Sequence, residues 1–439
     1  MMVEHRAKVV IVGGGFGGLE AAKALAPHEL DVVLVDRQNH HCFQPLLYQV
    51  ATAALSPADV AWPIRSILRS YPNVTVLMGA VTGVDTENRM VEIGTHRLAY
   101  DHLVLATGAT HSYFGHDEWA HVAPGLKRIE DATQIRRKLL LAFEQAEFSD
   151  DPAERRRLMT FAIVGGGPTG VEMAGAIVEI ARNALPADFR KIDPGTARVV
   201  LIEAGPRILA TFPEKLSDYA RRSLTAMGVE VLTDTRVIGC DAGGVDLAGG
   251  RIEASTIIWA AGVVASPAGV WLNAETDRAG RVRVAPDLSV PGHPEIHVIG
   301  DTAAVSREDG SPVPGIAPAA KQMGRYVGEA LAARIAGQAH KEPFHYRHQG
   351  DLATIGHKSA VVKLKRTTLT GLPAWLFWGL VHVYFLIGLR YRIAVAFKWV
   401  WDYVTFQRGA RLITRSPQEP EVAVSSAAPE LNRSRSGSA

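Results

Sequence analysis

The stretch Lys8–Leu25, KVVIVGGGFGGLEAAKAL, decides the fold. Val9–Val12 is a short apolar, β-branched run of the kind that forms a buried parallel strand. The loop Gly13-Gly14-Gly15-Phe16-Gly17-Gly18 follows, and after it an Ala/Leu/Lys/Glu-rich helical pattern. Gly13, Gly15 and Gly18 keep the G-x-G-x-x-G spacing. The first glycine permits the tight turn, the second lets a pyrophosphate approach the backbone, and the third lets helix and strand pack closely. The helix start then aims free N–H groups and a positive dipole end at the phosphates. The next apolar run, Asp31–Val35, ends in Asp36, an acid able to accept from ribose hydroxyls. Strand, glycine loop, helix, strand and acid occur in order, which separates a dinucleotide-binding unit from a mere glycine-rich turn.

The pattern recurs at Phe161, FAIVGGGPTGVEMAGAIVEIA, where Gly165, Gly166, Gly167, Thr169 and Gly170 repeat the loop. The strand Arg198–Ile202 ends in Glu203 after a longer gap than usual, and Asn183–Thr196 reads as an insertion. Glu203 would accept from a ribose 2′-OH and repel a 2′-phosphate, and Arg207 is the only nearby base, so NADH is favoured over NADPH. Two such units in one chain suggest that one nucleotide passes electrons to another.

At 439 residues the chain exceeds what one core usually supports, so two or three domains are expected. A net charge of +2 gives no reason to expect nucleic acid. Cys42 and Cys240 form no C-x-x-C or zinc pattern, so no metal and no dithiol relay are expected. The pair His40-His41 lies in a loop-like segment. The polar Met1–Lys8 does not read as a signal peptide, and the first domain is expected to stay where it is made.

Between the loops, Val74–Met78, Gly83–Asp85, Met90–Ile93 and His102–Ala106 read as strands, the last running into Ala106-Thr107-Gly108. Ala132–Glu147 reads as a helix and Asp150–Arg157 as a charged connector. Met227–Val231, Ile252–Ala261 and Thr256–Val263 continue the second unit. Ile296–Thr302, IHVIGDT, is a strand ending in Gly300-Asp301, and Asp301 could equally cap a helix. Ala317–Ile335 is a helix. Phe344–Leu364 is β-rich.

Leu372–Leu389, LPAWLFWGLVHVYFLIGL, holds no charged residue, and at about 27 Å as a helix it is marginal for a hydrocarbon core of about 30 Å. Pro373 and His382 count against a span. Tyr391–Phe406 is amphipathic, with Ile393, Phe397, Val400 and Val404 on one face and Lys398, Asp402 and Thr405 on another. Trp375, Trp378, Trp399 and Trp401 suit an interface, and the bases from Arg390 to Arg415 suit anionic headgroups. A monotopic surface anchor is expected, against a single span or a dimer face. A disordered tail is expected over 416–439.

The two loops, FQPLLYQVA at Phe43–Ala51, ADVAWPIR at Ala58–Arg65, GDTAAV at Gly300–Val305, APAAKQMGRYV at Ala317–Val327, LATIGHKSAV at Leu352–Val361 and the amphipathic end resemble the type II NADH dehydrogenases. These are single-subunit flavin NADH:quinone oxidoreductases. The resemblance covers roughly Lys8 to Ile413. It implies an α/β fold of two dinucleotide-binding domains, tandem Rossmann-like and similar to glutathione reductase, with C-terminal amphipathic anchor helices. The expected order is an FAD domain over 1–125, an NADH domain over 126–275, the FAD domain resumed over 276–345, and an anchor and dimerisation module over 346–415.

The resemblance places non-covalent FAD against Gly13, Gly14, Gly15, Gly17, Gly18, Asp36, Arg37, Gln44, Val81, Thr107, Gly108, Gly300, Asp301 and Ala320. It places NADH against Gly165, Gly166, Gly167, Thr169, Gly170, Glu172, Glu203 and Gly262. Glu172, read as lying in the first helical turn, would orient the carboxamide or relay a proton, or else simply complement the helix dipole. Where the family often has Ala-Gln, Ala317 is followed by Pro318, so that acceptor contact does not transfer; Gln322 and then Lys321 are the quinone-site candidates. The implied reaction is hydride from NADH to FAD and electrons on to a membrane quinone, without proton pumping. The implied setting is a peripheral homodimer on the cytoplasmic face of a membrane, such as a bacterial inner membrane. The rivals are a soluble NADH-dependent reductase for a ferredoxin-like partner, a sulfide:quinone oxidoreductase, which the lone Cys42 does not suit, and a redox-sensing protein that holds FAD and NADH.

Overall fold

Two parallel sheets are built by the same recipe. In a computed structural model that describes residues 6–338, 342–405 and 409–414, the first sheet runs Val74–Met78, Asp31–Asp36, Lys8–Val12, His102–Leu105, His293–Val298, with Ser289–Val290 antiparallel at the edge. The second runs Val229–Leu232, Arg198–Ile202, Thr160–Val164, Thr256–Trp259. In each, the strand before the glycine loop lies between the acid-bearing strand and the strand that returns after a three-stranded antiparallel insertion. That insertion is Val81–Asp85, Met90–Ile93, His96–Ala99 in the first unit and Val237–Asp241, Gly244–Leu247, Gly250–Glu253 in the second. The central strands are apolar after their first residue because both faces are covered, one by helices and the other largely by the antiparallel insertion and the segments beside it.

Several expected boundaries shift. The helix expected over Ala132–Glu147 spans Ile129–Phe148 and packs on the short helix Leu47–Ala51 of the first unit. The charged connector Asp150–Arg157 is a helix, Pro152–Leu158, because Asp151 accepts from the Ala153 N–H at 2.9 Å and Pro152 stands where no donor is needed. The run Thr256–Val263 is two strands, Thr256–Trp259 and Val263–Ala265, parted by a turn with Gly262 at φ +69°.

The C-terminal module is a three-stranded antiparallel sheet, Asp351–Gly356, Ser359–Lys363 and Thr368–Thr370, followed by helices Gly371–Phe385 and Leu389–Thr405. The apolar run Leu372–Leu389 is therefore not one helix. It breaks at Leu386, whose backbone is extended, and Gly388 follows at φ +83°. Among the described residues no helix is long and apolar enough to cross a membrane. Ala374, Trp378, Leu386 and Val395 are buried in the same core as Phe43, Leu47 and Ile177. Their other faces stay open: Leu372, Leu376, Leu380 and Tyr384, spaced by four, and Ile393, Phe397, Val400 and Trp401 are all exposed. The Val404 and Thr405 side chains, Phe406 and the tail over 416–439 lie outside the described residues.

Candidate functional site: two dinucleotide loops and a C-terminal roof

The two loops share their ties as well as their spacing. Asp36 accepts from the Gly14 N–H at 2.5 Å and from the Gln38 N–H at 2.7 Å. Glu203 accepts from the Gly166 N–H at 2.6 Å and from the Gly205 N–H at 2.7 Å. Each acid thus fastens the middle glycine of its own loop and keeps further lone pairs for a ribose. A Cβ on Gly18 would collide with the Gly13 carbonyl, and one on Gly170 with the Gly165 carbonyl, so both third positions demand glycine. Around Gly15 and Gly167 there is open space, and each is an N-cap whose helix start has no side-chain cap. These uncapped N–H groups and open cradles fit a pyrophosphate at both loops.

On the first loop, Gly14 is held from its other side by His41, a residue to which the sequence reading gave no role. The His41 Nδ1–H donates to the Gly14 carbonyl at 2.9 Å, and burial lowers its pKa to about 4, so it stays neutral. The Phe16 ring meets His41 edge-on. Gly17 lies against the Ala320 carbonyl, and Ala320 also faces Gly300. Asp301 belongs to a short turn, Gly300–Thr302, and caps no helix. Arg37 and Gln44 are exposed, with the Gln44 amide reaching the Lys127 carbonyl at 3.3 Å, and Val81 opens the antiparallel insertion. These donors, acceptors and cradles suit FAD.

On the second loop, Arg207 donates to the Phe212 and Ala210 carbonyls, both at 2.8 Å. Its guanidinium is engaged with its own loop rather than held out for a 2′-phosphate. The crossings between the units meet at a knot of hydroxyls. Thr107 Oγ1 lies 2.5 Å from Ser266 Oγ and 3.3 Å from Thr302 Oγ1, and Thr302 donates to the Gly108 carbonyl at 3.1 Å.

Glu172 lies one turn further into its helix, Pro168–Glu179, than the sequence reading set it, so it does not complement the helix dipole from the first turn. It faces Thr354 of the C-terminal sheet, whose N–H it accepts. Burial outweighs that bond and pushes its carboxyl up to about 8. It lines a cavity of about 120 Å³ roofed by the C-terminal module, together with Tyr48, Gln49, Trp375, Trp378 and Trp399. Gln49 donates to the Tyr48 hydroxyl at 2.9 Å and accepts from Trp399 Nε1 at 2.8 Å. Trp378, read in the sequence as an interfacial residue, is instead 3% exposed, and of the four late tryptophans Trp401 is the open one. His382, also buried, donates from Nδ1 to the Trp378 carbonyl at 2.7 Å, and burial lowers its pKa to about 4. Tyr48 and Gln49 stood within the phrase Phe43–Ala51, but only their meeting with Trp399 shows what they do.

The two late-helix candidates differ. Gln322 spends its amide on Arg347, donating to its carbonyl and accepting its N–H, both at 2.9 Å. This is a backbone clamp that uses one of the amide's two donors and one of its oxygen's two lone pairs. Lys321 is half-buried, 3.9 Å from Glu20 and 5.1 Å from the centroid of the Phe385 ring, and burial lowers its pKa. Cys42 and Cys240 are free thiols, each pushed up to about 12 by burial.

Residues 7–324 match the family described as pyridine nucleotide-disulphide oxidoreductase, and residues 348–407 match the NDH2 C-terminal domain. Type II NADH:quinone oxidoreductase Ndh of Mycobacterium tuberculosis is 44% identical over 425 residues, 93% of this chain and 91% of that protein. NdhA of the same organism is 44% identical over 429 residues, 94% and 90% of the two chains. Among solved structures, NDH2 from Plasmodium falciparum in complex with NADH superposes with a TM-score of 0.83 at 21% identity, covering 94% of this chain and all of that one. The sulfide:quinone oxidoreductase of Aquifex aeolicus shares the fold, with a TM-score of 0.70 at 16% identity over 93% of this chain and 96% of that one. With matching families along nearly its whole described length, and relatives that share close to half its residues, the chain belongs to the type II NADH:quinone oxidoreductases.

Proposed function

We propose that this chain oxidises NADH at its second glycine loop, holds FAD at its first, and delivers two electrons to a quinone beneath its C-terminal module, without pumping protons. FAD, when bound, supplies the two-electron chemistry. The chain supplies position and protons. The helix starts at Phe16 and Pro168 receive the two pyrophosphates, Asp36 and Glu203 the adenosine riboses, and Asp301 a polyol hydroxyl. Glu172, with its pKa raised to about 8, carries a proton at neutral pH beside the cavity, which is where quinone reduction needs one. Lys321, outside that cavity and beside the Phe385 ring, serves as a cation at the acceptor side, and Gln322 braces the segment at Arg347 that leads into the C-terminal sheet.

The observation that carries the reading is the doubled unit: the same loop, acid tie and strand order twice in one chain, under a helical roof with an exposed apolar face. That face is read as a monotopic seat on lipid, which puts the protein peripherally on a membrane's cytoplasmic side, with a second copy as its partner. The test is to purify the chain in detergent and record its visible spectrum before and after anaerobic NADH, then add a quinone. Oxidised flavin bands bleached by NADH and restored by quinone are expected. Colourless protein, or bleaching that quinone does not reverse, overturns the reading.

A further inference from the structure

The loop that follows the strand Ala109–His111 holds a bulky side chain in a conformation that bulky side chains avoid. Phe114 sits at φ +55°, and Gly115 follows at φ +95°. For an aromatic residue a left-handed backbone is strained, and such strain persists only where neighbours fix it. Here they do. The Phe114 N–H donates to Ser112 Oγ at 3.3 Å, the Ser112 carbonyl accepts from Trp259 Nε1 at 2.9 Å, and the Ser112 N–H donates to the Gly262 carbonyl at 3.3 Å.

The strain does not serve core packing, because the Phe114 ring is 69% exposed. It lies instead over Gly262. A Cβ at that glycine would stand 2.6 Å from Phe114 Cζ and 2.9 Å from the Ser112 carbonyl oxygen. Gly262 and the ring are therefore fitted to each other, and Val263, also exposed, extends the apolar surface.

The place of this pair in the sheet gives it a ligand. The strand feeding the second glycine loop has the acid-bearing strand on one side and Thr256–Trp259, which leads into Gly262, on the other. With Glu203 taking the adenosine ribose, the other end of a dinucleotide crosses toward Gly262. We propose that Phe114 is the apolar cover of the nicotinamide riboside half of NADH, held in a strained loop so that its ring faces the ligand and not the core. This rests on the second loop's being the NADH site.

The experiment uses full-length, detergent-purified, flavin-loaded protein and the variants Phe114→Ala, Phe114→Gly, Phe114→Tyr and Glu203→Ala. It reads NAD⁺ affinity by calorimetry, KM for NADH and for a short-chain quinone, and Tm. Phe114→Ala and Phe114→Gly are expected to weaken dinucleotide binding about fivefold, within the roughly twofold to tenfold that one aromatic contact commands. Phe114→Tyr should restore it, and KM for quinone should not move. Phe114→Gly should hold or raise Tm, since glycine relieves the backbone. Unchanged dinucleotide affinity in both small variants, with Glu203→Ala weakened, defeats the cover and leaves the NADH site standing. No change in any of the three defeats the site itself. Weakened binding accompanied by a lowered Tm in Phe114→Gly makes the residue structural and overturns the proposal.

Discussion

Lys398, in the last described helix, sets its ammonium 2.6 Å from the Asp59 carboxylate, 339 residues earlier in the chain. Asp59 is already in use there, accepting from the Ser56 N–H and Ser56 Oγ, both at 2.8 Å, at the start of the short helix Pro57–Val60. With Trp399 on Gln49 one residue further along, the C-terminal helix is fastened at two adjacent points to the segment that follows the first dinucleotide strands.

Losing Asp59 should therefore cost more than losing Lys398. Asp59→Ala removes a cap and an ion pair from a nearly buried site and is expected to cost about 1–2 kcal/mol. Lys398→Met removes a half-exposed partner and should cost no more than about 1 kcal/mol. Thermal unfolding of the two single variants and the double variant checks both the order and the coupling. Equal stability of Asp59→Ala and the parent would refute the fastening.

Glu172 makes stability depend on pH in a direction opposite to that of most carboxylates. Its folded pKa, about 8, stands above the ordinary value of 4.5. Between those two values the folded chain binds more protons than the unfolded one, so stability falls as pH rises through the window. Glu172→Gln should be near neutral at pH 4 and stabilising by on the order of 4 kcal/mol at pH 8. Unfolding curves at the two pH values read the difference. A gain of the same size at both would remove the raised pKa from the account.

The exposed apolar face should act on lipid without acting on the fold. Leu380 and Phe397 are 69% and 66% exposed. Leu380→Glu with Phe397→Glu should reduce cosedimentation with anionic phospholipid vesicles at least tenfold, given about 1.5–3 kcal/mol for each large apolar side chain withdrawn from water. Tm should hold. Trp378→Glu, by contrast, puts a charge into the core and should prevent folding. Undiminished vesicle binding by the double variant would assign the face to something other than lipid.

Much of the site could be read in the chain because its chemistry is local. A glycine loop, the strand before it, the helix after it and an acid at the next strand end obey spacings that sequence displays, and the ties from Asp36 to Gly14 and from Glu203 to Gly166 follow from them. His41 on Gly14 was not legible, because nothing in a histidine's neighbours along the chain announces which carbonyl it will meet. The clamp of Gln322 on Arg347 was hidden for the same reason: a polar residue in the second turn of a helix shows no partner until a distant segment is folded against it.

The sequence by itself determined the doubled dinucleotide fold, the acid that ends the second strand of each unit and the presence of an apolar C-terminal module, because hydrophobic period and glycine spacing act over a few residues. Only the tertiary structure decided that the C-terminal module ends in two helices with one face in the core and the other open, that Trp375, Trp378 and Trp399 line a cavity with Glu172, and that Phe114 lies across Gly262. Those outcomes depend on which distant surfaces meet. Burial and desolvation, which set the raised carboxyl of Glu172 and the neutral state of His41 and His382, exist only once they have met.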